Sequence, residues 1–351
     1  MAFERLIIHA PNVHTGGSKA LLVELLASLS PFGRGAAILD RRLELPLALP
    51  GEMPVQHVSP SLRERWMAEW NLAQLADERS HVLCFGNLPP LFSCRGRVTV
   101  FLHNRHLVSS TDLADFPLRT RLRLRGERLW VRLFASHVDE WIVQTESMRL
   151  LLEKALRAAA AIRVLPFVPA GMFECPPQSV EAPTGSAFEP VDFCYVASGE
   201  PHKNHRNLIG AWTQLSQEGL FPSLRLTLDS AENRRLCEWI ERKKRQFGLR
   251  IDNVGRVGAD QLAAVYRSSK CLIHPSWCES FGLPLIEARS LGLSIVASEL
   301  DYVRDLVVPD ETFDPHSARS IARAVRRHLG SREAAPSLGD GKSFLRQLAA
   351  A

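Results

Sequence analysis

The sequence predicts an α/β protein built from two doubly wound, parallel-sheet domains. Three observations carry that expectation. Short runs rich in Ile, Val, Leu and Phe recur through the 351 residues and alternate with stretches of helical spacing. The runs are continuously apolar, as suits strands covered on both faces. The stretch 174–190, "ECPPQSVEAPTGSAFEP", interrupts this rhythm with four prolines and few apolar residues, the composition of an interdomain linker.

Taken in order, strands are expected at 5–9 ("RLIIH"), 36–39, 81–85 ("HVLCF"), 97–102 ("RVTVFL"), 140–143 and 162–165. Helices fall between them at 18–30, 61–79, 118–136 and 147–158. The first helix shows its face through Leu21, Leu22, Leu25, Leu26 and Leu29. Beyond the linker, strands are expected at 192–197 ("DFCYVA"), 223–228, 270–273 and 293–297, and helices at 203–218, 231–247, 259–268 and 284–291. Pro284 suits a first helical turn and Gly292 a helix end. Residues 316–330 are again helical, and 331–343 are polar and poorly patterned. The expected organisation is a first domain over 1–175, a linker over 176–190, a second domain over 191–330, and a tail over 331–351 with a helix returning to the first domain.

Composition narrows the class. Apolar residues make up 46% and charged residues 23%, values ordinary for a soluble globular protein. The formal charge of +5 is too small to imply nucleic acid without a localised patch. The seven cysteines contain no CxxC pair and read as reduced thiols. "MAFERLIIHA" leads straight into a strand, and no apolar run nears the roughly 20 residues of a membrane span. A cytoplasmic location is expected.

Three constellations carry chemistry. In "HAPNVHTGGSKALLVELLASL" (9–29), Gly16 and Gly17 separate a strand from its helix. Glycines there let backbone amides approach a phosphate, or serve as a plain tight turn; the full GxGxxG pattern is absent. In "YVASGEPHKNHRNLIGAW" (195–212), Lys203 opens a helix beside His202, His205 and Arg206. This suits a diphosphate, or a solvated charged helix start. In "HPSWCESFGLPLIEA" (274–288), a strand turns through Gly282 into a helix. Phe281, Gly282 and Leu283 offer amides at the sheet's C-terminal edge, with Glu279 before them and Glu287 a turn beyond. Each acid has a local reading as turn residue or dipole partner, but those readings leave the pairing of two acids around one turn unaccounted for.

This last segment, continued to "RSLGLSIVAS", resembles the E-x7-E segment of retaining glycosyltransferases of family 4, which have the GT-B fold. The glycine pair and the "PHKNH" turn stand at matching places, so the resemblance covers most of the chain and is stronger in the second half. It implies two Rossmann-like domains facing a central cleft, with a nucleotide-sugar donor held mainly by the second domain and a glycan acceptor by the first. By resemblance, Glu279 holds donor-sugar hydroxyls and Glu287 the ribose hydroxyls. The amides of Phe281, Gly282 and Leu283 contact sugar and diphosphate, and Lys203 neutralises the leaving diphosphate. Gly16 and Gly17 let the first domain close over it. His103, in "VFLHNRH", matches a histidine near the reacting sugar. Base recognition is expected from 253–261.

One position departs from the family pattern: Ser198 stands where an arginine is usual, so Arg206 or His202 is expected to supply the missing cation. No DxD, HxH or HExxH stretch is present, and no cofactor or metal is expected. The resemblance implies retention at the anomeric carbon, by same-face attack in which the departing diphosphate takes the acceptor proton. The setting it implies is bacterial surface polysaccharide assembly, O-antigen or capsule, with a lipid-linked acceptor. The stretch "PLRTRLRLRGERLWVRLF" (117–134) carries six arginines and the leucine row Leu118, Leu122, Leu129 and Leu133. It reads as a basic amphipathic helix on an anionic membrane, which makes the protein peripheral on the inner face of the cytoplasmic membrane, or as a covering helix with a solvated arginine face. A nucleotide-sugar epimerase or hydrolase on the same fold is the alternative reading.

Overall fold

The structure, a computed structural model, describes residues 5–29, 35–45, 53–109, 113, 116–156, 160–169 and 188–331. Most of the stretch expected as a linker, and nearly all of the expected tail, lie outside these residues. The first sheet contains β1 (Arg5–Ala10), β2 (Gly35–Asp40), β3 (Val55–Val58), β4 (Ser80–Cys84), β5 (Arg97–Phe101), β6 (Glu140–Val143) and β7 (Ile162–Val164). Its helices are α1 (Gly16–Ala27), α2 (Leu62–Leu75), α3 (Leu118–Leu133) and α4 (Glu146–Leu156). All pairings are parallel, in the order β3-β2-β1-β4-β5-β6-β7.

The second sheet contains β8 (Val191–Tyr195), β9 (Leu224–Leu226), β10 (Ile251–Asn253), β11 (Ser269–His274), β12 (Ser294–Ser298) and β13 (Glu311–Phe313). It too is wholly parallel, in the order β10-β9-β8-β11-β12-β13. Its helices are α5 (His205–Gln217), α6 (Arg234–Phe247), α7 (Ala259–Arg267), α8 (Leu283–Ser290), the short α9 (Asp301–Arg304) and α10 (Ala318–His328).

Consecutive residues of a strand feed opposite faces of the sheet. In β1, Ile7 packs with α2 and α3, while Ile8 packs with α1. In β11, Leu272 packs with α7 and α8, and Ile273 with α5 and α10. Each sheet is thus sealed on both sides, which is why its central strands read as unbroken apolar runs. Three strands escaped the sequence reading: β3, β10 and β13. All three lie at sheet edges, and each has one buried residue, so no run of apolar letters marks them.

In each sheet the strand order reverses once, between β1 and β4 and between β8 and β11. Crevices outside the C-terminal ends of such neighbouring strands are where doubly wound folds bind ligands. The glycine pair follows β1, the Lys203 turn follows β8 and the Glu279 turn follows β11, so all three constellations lie at these crevices.

Six described cysteines are free thiols, and burial pushes Cys94 and Cys278 up to about 11 and Cys194 to about 12, outside the nucleophilic range. Among the described residues no helix is long and apolar enough to cross a membrane.

Candidate active site

The second-domain crevice is made by two turns bonded to each other. After β8 the chain passes Ser198 and enters a tight 3-10 turn at Pro201–Lys203. Asn204 then adopts a left-handed conformation (φ 61°), a geometry that asparagine tolerates, and α5 begins at His205. The buried Asn204 side chain donates to the Pro275 and Pro315 carbonyls at 2.9 and 2.7 Å. The Tyr195 hydroxyl donates to the Lys203 carbonyl at 2.7 Å, and the Trp277 amide donates to the His202 carbonyl at 2.8 Å. This lacing carries Lys203 to Glu279, seventy-six positions away, with Nζ 2.6 Å from Oε1.

Burial alone would raise the Glu279 carboxyl. The Lys203 ammonium, with His274 and His202 behind it, instead holds it down at about 2. His274 Nε2 is 3.8 Å from the same oxygen, and burial lowers that ring to about 4, so it is neutral near pH 7. The result is a carboxylate fixed in its charged form beside a fixed ammonium, in a setting where both are largely withdrawn from water.

The Glu279 turn continues into α8 through Gly282, whose φ of 77° is open to glycine and strained for other residues. A Cβ there would also come within 3.2 Å of Leu285 Cδ1. The amides of Phe281, Gly282 and Leu283 precede or open the helix, where no intrahelical carbonyl reaches them. Glu287 lies one turn in and accepts a 2.5 Å hydrogen bond from the Tyr266 hydroxyl of α7. Burial raises the Glu287 carboxyl, and the Tyr266 bond partly offsets this.

The first domain forms the facing wall. Gly16 opens α1 with φ 66°, and a Cβ on Gly17 would lie 3.1 Å from Leu283 Cδ1. The glycine turn therefore abuts the start of α8. Beyond β5, the His103 amide donates to Asn87 Oδ1 at 2.7 Å, while Asn87 Nδ2 lies 3.1 Å from His103 Nε2. Burial lowers His103 to about 4, so its imidazole is neutral. Two residues on, the Arg105 amide donates to Ser280 Oγ across the cleft at 2.9 Å, and the His106 ring packs edge-on to His202 with centroids 4.9 Å apart.

The structure thus gathers Glu279, Lys203, His202, Leu283, Gly17 and the His103 loop around one cleft. The two residues expected to supply the missing cation are placed differently from Lys203. Arg206 is exposed and its guanidinium sits over the Trp239 ring, 5.0 Å from the centroid, so it is engaged on the outer surface of α6. Burial, with the Lys203 charge beside it, lowers the His202 ring below its ordinary value. Ser198 bonds the Glu200 carboxylate instead of presenting a donor to the cleft. Lys203, expected to open the helix, lies in the 3-10 turn before it.

Four site residues escaped the sequence reading. Tyr266 and His274 sit in apolar stretches that read as core, and their partners are distant in sequence. Arg105 and His106 lie in the quoted "HNRH", where only the strand-end histidine stood out. The Arg105 charge acts on buried Cys278 and Tyr302 behind the Glu279 turn, and its Nε is buried without a hydrogen-bond partner. The stretch 253–261 runs from the end of β10 into α7. Among the described residues no group of three His, Cys, Asp or Glu side chains is placed to hold a metal ion.

Residues 181–341 match the family described as glycosyl transferases group 1. Solved structures share the architecture across both halves. Anabaena HepE in complex with UDP and glucose superposes with a TM-score of 0.62 at 15% identity, covering 93% of this chain and 89% of that one. Sucrose-phosphate synthase from Thermosynechococcus elongatus gives 0.66 at 17% identity, covering 93% and 90%. The fold is GT-B. Among curated relatives, the O-antigen chain mannosyltransferase B of Escherichia coli is 30% identical over 139 residues, 38% of this chain. That alignment spans 36% of the relative's own length.

Proposed function

We propose that this GT-B protein is a retaining glycosyltransferase. It moves a hexosyl group from a UDP- or GDP-sugar to a lipid-linked glycan during surface polysaccharide assembly, of O-antigen or capsule type. The observation that carries the reading is the partly buried Lys203–Glu279 pair, 2.6 Å long, at the mouth of α8 and opposite the first domain's glycine turn. A donor laid across that mouth meets each group in turn. Glu279 accepts from sugar hydroxyls, the amides of Phe281 to Leu283 and Lys203 face the diphosphate, and Glu287 accepts from the ribose. Such preset charges stabilise the diphosphate as it gains negative charge, which is where electrostatic catalysis is most effective.

In the reaction, the bond between the anomeric carbon and the donor phosphate oxygen breaks. The acceptor hydroxyl oxygen bonds to the same carbon on the same face, and its proton passes to the departing diphosphate. Neutral His103 lines the sugar end of the cleft. The reaction runs without a metal ion, Lys203 and the α8 mouth supplying the positive potential. The name of the Escherichia coli relative makes a mannosyl donor the first to try.

A thermal-shift panel of UDP-, GDP-, dTDP- and ADP-sugars tests donor binding, since a ligand specific to the native state raises Tm by mass action. Absence of any shift rejects the reading. NMR of the glycoside formed then reads the anomeric configuration, and an inverted product rejects retention. Turnover that EDTA abolishes and Mg²⁺ restores rejects metal independence.

A further inference from the structure

The leucine row of α3 faces the wrong way for a core. Leu118, Leu122, Leu129 and Leu133 are 67%, 57%, 55% and 62% exposed, whereas Leu124 and Val131, roughly opposite on the helix, are 2% and 1% exposed and pack into the domain. The row spans about 60° of the helix surface at 100° per residue. Four leucines in one outward stripe form a designed apolar face, not the scattered surface leucines normal to soluble proteins. Arginines border it. Arg119, Arg125 and Arg132 are exposed and form no ion pair among the described residues, and Glu127, the helix's one acid, is turned partly inward.

A second patch lies on α2, which covers the same core cluster as α3 and therefore the same side of the sheet. Trp66 and Trp70, 52% and 47% exposed, stack at 6.0 Å, and Phe92 meets both edge-on. The Phe92 loop follows β4 and is tied to α3 by the Trp130 Nε1 bond to the Pro89 carbonyl (2.9 Å). Arg128 of α3 in turn donates to the His106 carbonyl at 2.7 Å, and the His106 ring packs against His202 of the second domain. The face is thus mechanically joined to the cleft mouth.

We infer that α3 and the α2 tryptophan patch together form a membrane-docking face that seats the first domain on an anionic bilayer. Leucines enter the acyl boundary, tryptophans take the interfacial level, and arginines reach lipid phosphates. The charge selects this occupant: a second copy would bring arginine rows together, while an anionic leaflet attracts each of them. The inference deepens the reading of a lipid-linked acceptor, and it rests on that reading only for its purpose.

Flotation of the full chain with phosphatidylcholine vesicles, with and without phosphatidylglycerol, tests it. Binding is expected with the anionic vesicles and to weaken as salt rises. Leu122→Glu with Leu129→Glu, and separately Arg119→Gln with Arg125→Gln, should each lower partitioning roughly tenfold, with Tm and nucleotide-induced shifts unchanged. Vesicles should shift tryptophan emission to the blue, an effect reduced in Trp66→Ala with Trp70→Ala. No flotation with anionic vesicles at low salt overturns the inference, as does equal flotation of the leucine variant. A lipid-free dimer that Leu122→Glu dissolves, with no flotation, assigns the face to a second copy instead. Because donor binding is read separately by thermal shift, loss of vesicle binding and loss of the glycosyltransferase reading are distinguishable.

Discussion

At the residue scale, the site turns on how a carboxylate is kept charged in a buried place. Glu279 stays ionised because Lys203 faces it, and the same contact fixes where the ammonium points. Lys203→Ala should lower the transfer rate by on the order of a hundredfold or more. A variant with near-normal turnover removes Lys203 from the phosphate site. Tyr266→Phe deletes a bond to Glu287 while keeping the ring in the core, and should raise KM for the donor about fivefold with little change in kcat. An unchanged KM detaches Glu287 from ribose binding. The Arg105 amide is bonded to Ser280 and its charge acts on Cys278 in the Glu279 turn, so Arg105→Ala should weaken inhibition by free nucleoside diphosphate several-fold, measured as Ki. The spacing of Glu279 and Glu287, and the isolated lysine at 203, were legible as letters. The partners His274, Tyr266 and Arg105 were not, because a hydrogen bond between residues far apart in sequence leaves no periodic trace.

At the element scale, two left-handed residues do parallel work. Asn204 and Gly282 each turn the chain sharply where a strand gives way to a helix, one on either side of the second-domain switch point. Gly282→Ala should cost about 1–2 kcal/mol, because an L side chain resists that φ, and should raise donor KM by shifting the amides. Urea unfolding and steady-state rates check the two parts separately. The helix signals in the sequence were local and held: Pro284 in the first turn of α8, and Gly292 with φ 71° just past its end. Edge strands were less legible, since a strand with one buried residue has no pattern to show. The case of α3 differs again. Its amphipathic period was readable, but a period cannot say which stripe faces inward. The packing of Leu124 and Val131 decided that.

At the scale of the whole molecule, the doubly wound plan was the most legible feature, since two sealed sheets require alternation along the entire chain. Stability should respond to acid in two steps. His205 and His274 are buried and held near 3 and 4, below the ordinary 6.5. Below pH 6.5 the unfolded chain binds protons that the native state refuses. Stability therefore falls from about pH 6.5 toward 4, by at most about 1.4 kcal/mol per pH unit for each such histidine. Glu279 adds a second loss between about 4.5 and 2, as protonation removes its attraction to Lys203. His205→Asn should flatten the first step, read from denaturant unfolding across pH 4–7; an unaltered slope shows that His205 is not among the residues responsible.

The two halves meet through small contacts near the cleft. Arg105 reaches Ser280, the His106 ring rests on His202, and the Ser147 amide donates to Asp305. Each is one hydrogen bond or one ring edge, so parting this seam is energetically light compared with unfolding either half. A donor whose sugar touches the first domain while its nucleotide sits on the second acts as a rivet across the seam. A bare nucleotide fastens one side. Hydrogen exchange in residues 103–109 should therefore slow with the intact donor and stay fast with the nucleotide alone. Under the proposed transfer, cleavage of the sugar from the nucleotide removes the rivet, so the slowed exchange should be lost once the donor is consumed.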